Sequence, residues 1–266
     1  MIGIESVAYS TRNRSVTWQN SLVQGNFCPE TLAKPLKCAH LRIFPRNIKM
    51  KNIVVLISGR GSNFVAIAEA CERENWAQEG IRIACVLSNR PGAAGLDRAR
   101  ERGIDTAVVD HKAFDTREAF EDAMIEVIDK YNPDVIVLAG FMRVLTPHFV
   151  NHYEGKILNI HPALLPLFKG LDTHERALQA GVRVHGCTVH FVSAELDGGA
   201  IIGQAVVPVL PTDDADTLAA RALKLEHVLY PRCVHAVAAG KVKCVDGKTV
   251  TDDETALTLA VFSGEK

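Results

Sequence analysis

Three short stretches carry side chains suited to moving a proton or holding a developing charge. In LNIHPALLP, residues 158–166, an amide (Asn159) and an imidazole (His161) stand two positions apart. Along an extended segment residues i and i+2 share a face, so both could open onto one cleft. An amide that donates to a nascent oxyanion, beside a group that titrates near neutrality, suits acyl transfer. AELDGG, residues 194–199, adds the carboxylate of Asp197, which could approach His161 and favour its imidazolium form. SGRGSN, residues 58–63, is a glycine turn whose N–H groups, with a helix dipole behind them, could cradle a phosphate, aided by Ser62 and Asn63. Each stretch also has an ordinary reading: a turn cap and a surface imidazole, an Asp-Gly-Gly turn, a structural glycine turn. The glycine turn has neither the Gly-Lys-Ser/Thr of a Walker loop nor the spacing G-x-G-x-x-G.

Other chemistries are not supported. HERAL at His174 opens like H-E-x-x-H but has Leu178 in place of the second histidine, and His111, His148, His152, His185, His190, His227 and His235 show no compact ligand spacing. These histidines read as structural or solvent-facing, and no metal is expected. Seven cysteines without a C-x-x-C pair fit reduced thiols and a cytoplasmic protein. The 30 basic and 31 acidic residues nearly cancel, so whole-chain charge shows no polycationic surface for nucleic acid. The longest apolar runs, IVVLI and VIVLAGFM, fall well short of the roughly 20 residues of a membrane span. Small molecules are the expected partners, with no nucleic acid and no membrane.

To bring these stretches together the chain needs strands that end where they begin. From Lys51 onward, short apolar runs alternate with helical periods, the form of βα units and a parallel sheet. NIVVLIS, IRIACVLS, TAVVD and PDVIVLAG read as four strands, KILNI and CTVHFV as two more, and AIIGQAVVPV as a last, antiparallel one. Between them, Phe64, Ile67, Ala68 and Cys71 form one helical stripe, and Phe120, Met124, Val127, Ile128 and Tyr131 another, with Asp115 and Glu118 as a capping-box-like start. Leu218, Ala222, Leu225 and Leu229 mark a closing helix. The pattern predicts one doubly wound, mostly parallel α/β domain over residues 50–240. Residues 241–266 read as a short extension with a hairpin near Asp246 and Gly247. Residues 1–49 hold two acidic residues, seven Lys or Arg and no sustained apolar period. They read as a disordered leader, or as sequence upstream of a true start at Met50.

The chain from Lys51 to about Gly240 also resembles the phosphoribosylglycinamide (glycinamide ribonucleotide) formyltransferases that use 10-formyltetrahydrofolate. VVLISGRGSN, VLAGFMRVLTPHFV, ILNIHPALLPLFKGLDTHERAL, HGCTVHFVSAELDGGAIIGQ and LEHVLYP carry the resemblance, in order. It implies a Rossmann-like fold and formyl transfer from 10-formyltetrahydrofolate to the glycinamide amine in de novo purine (IMP) synthesis. It makes Asn159, His161 and Asp197 the catalytic group. It places the ribonucleotide on Gly61, Ser62 and Asn63 and on Leu223, Lys224, Leu225 and Glu226. It places the folate on Arg117, on Met142, Arg143, Val144 and Leu145, on Asn159, and on Ser193, Ala194, Glu195, Leu196 and Asp197. Ala163 departs from a frequent serine and Asp172 from a frequent histidine; neither removes a proposed catalytic group. The alternatives are a formyltetrahydrofolate hydrolase with the same fold, or a non-catalytic nucleotide-binding protein. A monomer or weak homodimer is expected.

Overall fold

The computed structural model describes residues 49–263. Expectations for residues 1–48 lie outside them. Ten strands alternate with seven α-helices among the described residues. Eight of the strands form one sheet in the order β10-β7-β6-β5-β4-β1-β2-β3. These are β1 (Lys51–Ile57), β2 (Ile81–Ser88), β3 (Asp105–Val108), β4 (Val135–Leu138), β5 (Ile157–His161), β6 (Val184–Phe191), β7 (Ile201–Pro208) and β10 (Ala260–Phe262). β1 to β5 are mutually parallel, and their chain path reverses between β1 and β4, which lie side by side. That is the switch point of a doubly wound sheet, where a crevice opens at the carboxyl ends of the strands.

The apolar strands follow from burial on both faces. Ile53, Val55 and Ile57 of β1 point into the core beneath α1 (Ser62–Arg73), α2 (Ala94–Glu101) and α6 (Ala215–Ala238). Val54 and Leu56 point to the other core, under α3 (Arg117–Asp129) and α4 (Pro147–His152). The expected stripes on α1 and α3 are the buried ones, except that Cys71, Val127 and Tyr131 are only half-buried. Helix α6 begins with a capping box between Asp214 and Thr217 and is anchored by its buried Tyr230, whose hydroxyl lies 3.0 and 3.1 Å from the carbonyls of Leu138 and Leu158. One side chain thus ties the end of β4 and the start of β5 to the helix.

Three local readings change, and the expected hairpin near Asp246 and Gly247 forms. The N-cap of α3 is Thr116, whose side chain accepts from the Ala119 N–H, and not Asp115; the hydroxyl sits three residues before its donor. Strand β7 is antiparallel to β6 but runs with the rest of the sheet, so β6 is the reversed strand. The sheet does not end at β7: β10 pairs parallel to it, extending the main sheet into a segment read as a separate extension. Between them, β8 (Lys243–Val245) and β9 (Lys248–Val250) form a hairpin turning at Asp246 and Gly247, both with positive φ (50° and 71°), as a two-residue primed turn requires. Helix α7 (Asp253–Thr258) then leads into β10.

The loop from Val192 to Ala200 between β6 and β7 is closed tightly at its base. A Cβ on Gly199 would lie 1.8 Å from the Phe191 carbonyl oxygen, a backbone atom that cannot yield. Gly199→Ala is expected to lower unfolding stability by more than about 2 kcal/mol. A urea midpoint equal to that of the parent would overturn this.

Candidate active site

At the switch point, β1 ends at Ile57 and the chain turns through Ser58–Gly61 into α1, which opens with Ser62 and Asn63. Gly61, at the N-cap, has φ 67°, and a Cβ there would press to 3.3 Å from the Gly95 Cα. Glycine answers both demands. No acidic side chain occupies the first turn of α1, so its positive end faces the loop uncompensated. Behind the loop, the Asn63 amide donates to Glu226 Oε2 of α6 at 2.9 Å, while Asn63 Oδ1 is buried without a partner. Burial raises the Glu226 carboxyl above its usual range, with the Asn63 contact opposing. Of the four residues expected on α6, Glu226 alone is buried against the loop; Leu223 and Lys224 are exposed and Leu225 is half-buried in the core.

On β5, Asn159 and His161 lie on one face, as alternation requires, and His161 is 5% exposed. His161 Nε2 lies 2.9 Å from the Phe168 carbonyl, an acceptor only, so this nitrogen carries a proton. Its Nδ1 faces Asp197 Oδ2 at 3.4 Å. Both ring nitrogens therefore face acceptor oxygens. Asp197, at φ 47° in the loop after β6, is held by the Gly170 N–H at 2.9 Å. The carboxylate reaches His161 as its sequence context suggested.

A residue set aside with the structural histidines belongs to the same cluster. His190 sits opposite Asn159 in the β5–β6 register, with its Nε2 3.3 Å from Asn159 Nδ2 and 3.9 Å from Asp197 Oδ1. Its Nδ1 donates to the Phe191 carbonyl at 2.9 Å, leaving Nε2 to accept from the Asn159 amide. Burial lowers the His190 pKa, partly opposed by the Phe191 carbonyl and by Asp197. The neutral ring thereby orients the amide. Only the register between β5 and β6, a non-local quantity, could have identified it.

The remaining expected residues surround this centre. Met142 is 70% exposed, Arg143 and Val144 are exposed, and Leu145 is half-buried. The segment is pinned at both ends: the Met142 N–H donates to Ser58 Oγ at 2.8 Å, and Glu121 accepts from the Thr146 N–H at 2.8 Å and from its hydroxyl. Ser193 is half-buried, and Ala194, Glu195 and Leu196 are exposed, with Glu195 bonded to Lys169 Nζ at 2.7 Å. Arg117 stands exposed at the start of α3, outside the cluster of Asn159, His161, His190 and Asp197. No group of three or more His, Cys, Asp or Glu suited to a metal occurs among the described residues. No described helix is long and apolar enough to cross a membrane.

The segment carrying Phe168 and Gly170 leads into α5 (Thr173–Gln179), which docks on β6 through His174 and His185, 3.1 Å apart. Burial, with His174 and His161 adding, pushes the His185 imidazole down to about 4 from an ordinary 6.5. Between those pH values the unfolded chain binds a proton that the folded chain refuses. The contribution is therefore complete above pH 6.5 and is lost as pH falls toward 4, on the order of 3 kcal/mol. Urea midpoints at pH 7.5, 6 and 5 should fall with acidity, and the decline should flatten in His185→Gln. An unchanged slope in that variant would sink the assignment.

A doubly wound α/β domain with an anion-type loop at the switch point, and an amide, two imidazoles and a carboxylate gathered beside it, defines a Rossmann-like group-transfer enzyme. The formyl transferase family model matches residues 51–234, and the chain belongs to that family. It is 52% identical over 192 residues to the phosphoribosylglycinamide formyltransferase of Escherichia coli (strain K12), spanning 72% of this chain and 89% of that one. The phosphoribosylglycinamide formyltransferase structure from Coxiella burnetii superimposes with TM-score 0.73 at 42% identity, covering 80% of this chain and 100% of that one. The trifunctional purine biosynthetic protein adenosine-3 of Homo sapiens is 44% identical over 195 residues, but the match spans only 19% of its length.

Proposed function

We propose that the protein transfers the formyl group of 10-formyltetrahydrofolate to the amine of glycinamide ribonucleotide, giving N-formylglycinamide ribonucleotide and tetrahydrofolate in purine biosynthesis. The observation that carries this reading is the joining of Asn159, His161 and Asp197 within one cluster beside the Gly61–Asn63 loop, in a chain of this family. The amine attacks the formyl carbon to give a tetrahedral oxyanion. Asn159 and protonated His161 stabilise that charge, and Asp197 supports the imidazolium. Collapse breaks the bond from carbon to folate N10, which takes up a proton as the amine gives one up.

In this proposal the ribonucleotide phosphate lies on Gly61, Ser62 and Asn63, and Glu226 meets the ribose hydroxyls. The folate lies along Met142–Leu145 and Ser193–Asp197, with Arg117 and Arg143 available to its carboxylates, since a guanidinium can bind carboxylate bidentately. The catalytic unit is residues 50–240, acting in the cytoplasm on small molecules as a monomer or weak homodimer, without nucleic acid or membrane. The test is to supply both substrates and follow deformylation of the folate. No turnover would defeat the reading, and equal turnover without the ribonucleotide would favour the hydrolase.

A further inference from the structure

The residues proposed to hold the ribonucleotide phosphate are all neutral: Gly61, Ser62 and Asn63. A phosphate monoester carries about −1.5 to −2 charges near neutral pH. A helix N-terminus offers roughly +0.5. About one charge or more is left without a counterpart among these groups, and a cation lining the crevice would meet it.

We propose that Arg90 supplies it, closing over the loop as a phosphate-binding residue that makes the enzyme select a phosphorylated acceptor; this rests on the function proposed above. Arg90 follows β2 and lines, with Ser58–Asn63 and Met142, a cavity of about 270 Å³ at the switch point. Its backbone is fixed: the Arg90 N–H donates to Ser88 Oγ at 3.0 Å, and that hydroxyl donates to the Arg90 carbonyl at 2.9 Å. Ser88 is fully buried. Five residues on, the Gly95 N–H donates to the Gly59 carbonyl at 3.0 Å, tying the turn that carries Arg90 to the loop it would serve.

The guanidinium is uncommitted. Arg73, Arg100, Arg102 and Arg221 each face a carboxylate, whereas among the described residues Arg90 has neither a carboxylate within 4 Å nor a side-chain hydrogen bond. An exposed cation on an anchored backbone, at the rim of a cavity whose other lining residues are neutral apart from Arg60, is placed to receive two phosphate oxygens through its fork of N–H groups. Arg60 also lines this cavity, but from within the loop itself. Arg90 reaches in from a second strand, so its contact would brace β2 against β1 across the ligand. It also borders a neighbouring cavity of about 570 Å³ with His111 and Lys112, through which a folate carboxylate is the competing anion.

The test compares glycinamide ribonucleotide with its dephosphorylated riboside in the parent enzyme and in Arg90→Gln. The ratio of the two kcat/KM values is expected to fall by about 30-fold, the worth of a charged hydrogen bond to an anion. An unchanged ratio would overturn the proposal, as would a rise confined to the KM for the folate, which would assign Arg90 to the co-substrate. Titration with ribose 5-phosphate gives a readout independent of turnover: its Kd should rise by a similar factor in Arg90→Gln, and an unaltered Kd also overturns the proposal. Should the parent bind ribose 5-phosphate yet fail to turn over the ribonucleotide, the formyl-transfer reading falls while the Kd comparison still decides the role of Arg90.

Discussion

His161→Gln is expected to lower kcat by about 10³-fold, with the KM for either substrate changed by no more than about threefold. Glutamine keeps a polar group in the pocket but cannot hold the positive charge that the oxyanion requires. The geometry makes this loss specific. The imidazole is buried, its Nε2 hydrogen is directed by the Phe168 carbonyl, and its Nδ1 looks at Asp197 from 3.4 Å. A charge enclosed in this way acts at reduced dielectric and needs no reorganisation when the intermediate forms. Pre-steady-state measurement of formyl transfer separates this loss from any effect on product release. A kcat within tenfold of the parent would remove His161 from the proposed chemistry.

The second large effect belongs to Asp197→Asn, expected to depress kcat by about 10²-fold. The substitution preserves shape and can still accept from the Gly170 N–H, so loop order should survive, and circular dichroism and the urea midpoint can confirm that. What disappears is the negative charge that faces His161 Nδ1 at 3.4 Å. The double variant His161→Gln/Asp197→Asn should be little worse than His161→Gln alone, because the carboxylate acts through the imidazole. Additive losses in that double-mutant cycle would give Asp197 an independent task.

Local patterns made much of this site legible. The i, i+2 spacing put Asn159 and His161 on one face of β5, the unbroken apolar runs of β1 and β4 marked central strands, and the glycines of SGRGSN marked the loop at the switch point. What escaped was set by pairing between distant segments. Val184–Phe191 has the composition of any buried strand, so neither its reversal nor the placing of His190 opposite Asn159 could be read along the chain. Strand β10 is three residues long, too short for periodicity to declare itself, and it gains its place only through β7. Arg90 left no motif because its role depends on an anchored backbone and an unclaimed guanidinium, and both are properties of the folded surroundings.

The reversal of β6 makes the site vulnerable to changes in chain length. Asn159 meets His190 because the antiparallel ladder sets His161 opposite Thr188 and Leu158 opposite Phe191, in strict alternation. One residue inserted or removed between Thr188 and His190 would turn the His190 ring to the other face of the sheet and leave the Asn159 amide without its acceptor, although every side chain in the cluster remained in the sequence. Loop residues outside the ladder, such as Pro211 and Thr212 before α6, carry no such constraint. Variation in length should therefore gather there and be absent from the eight residues of β6.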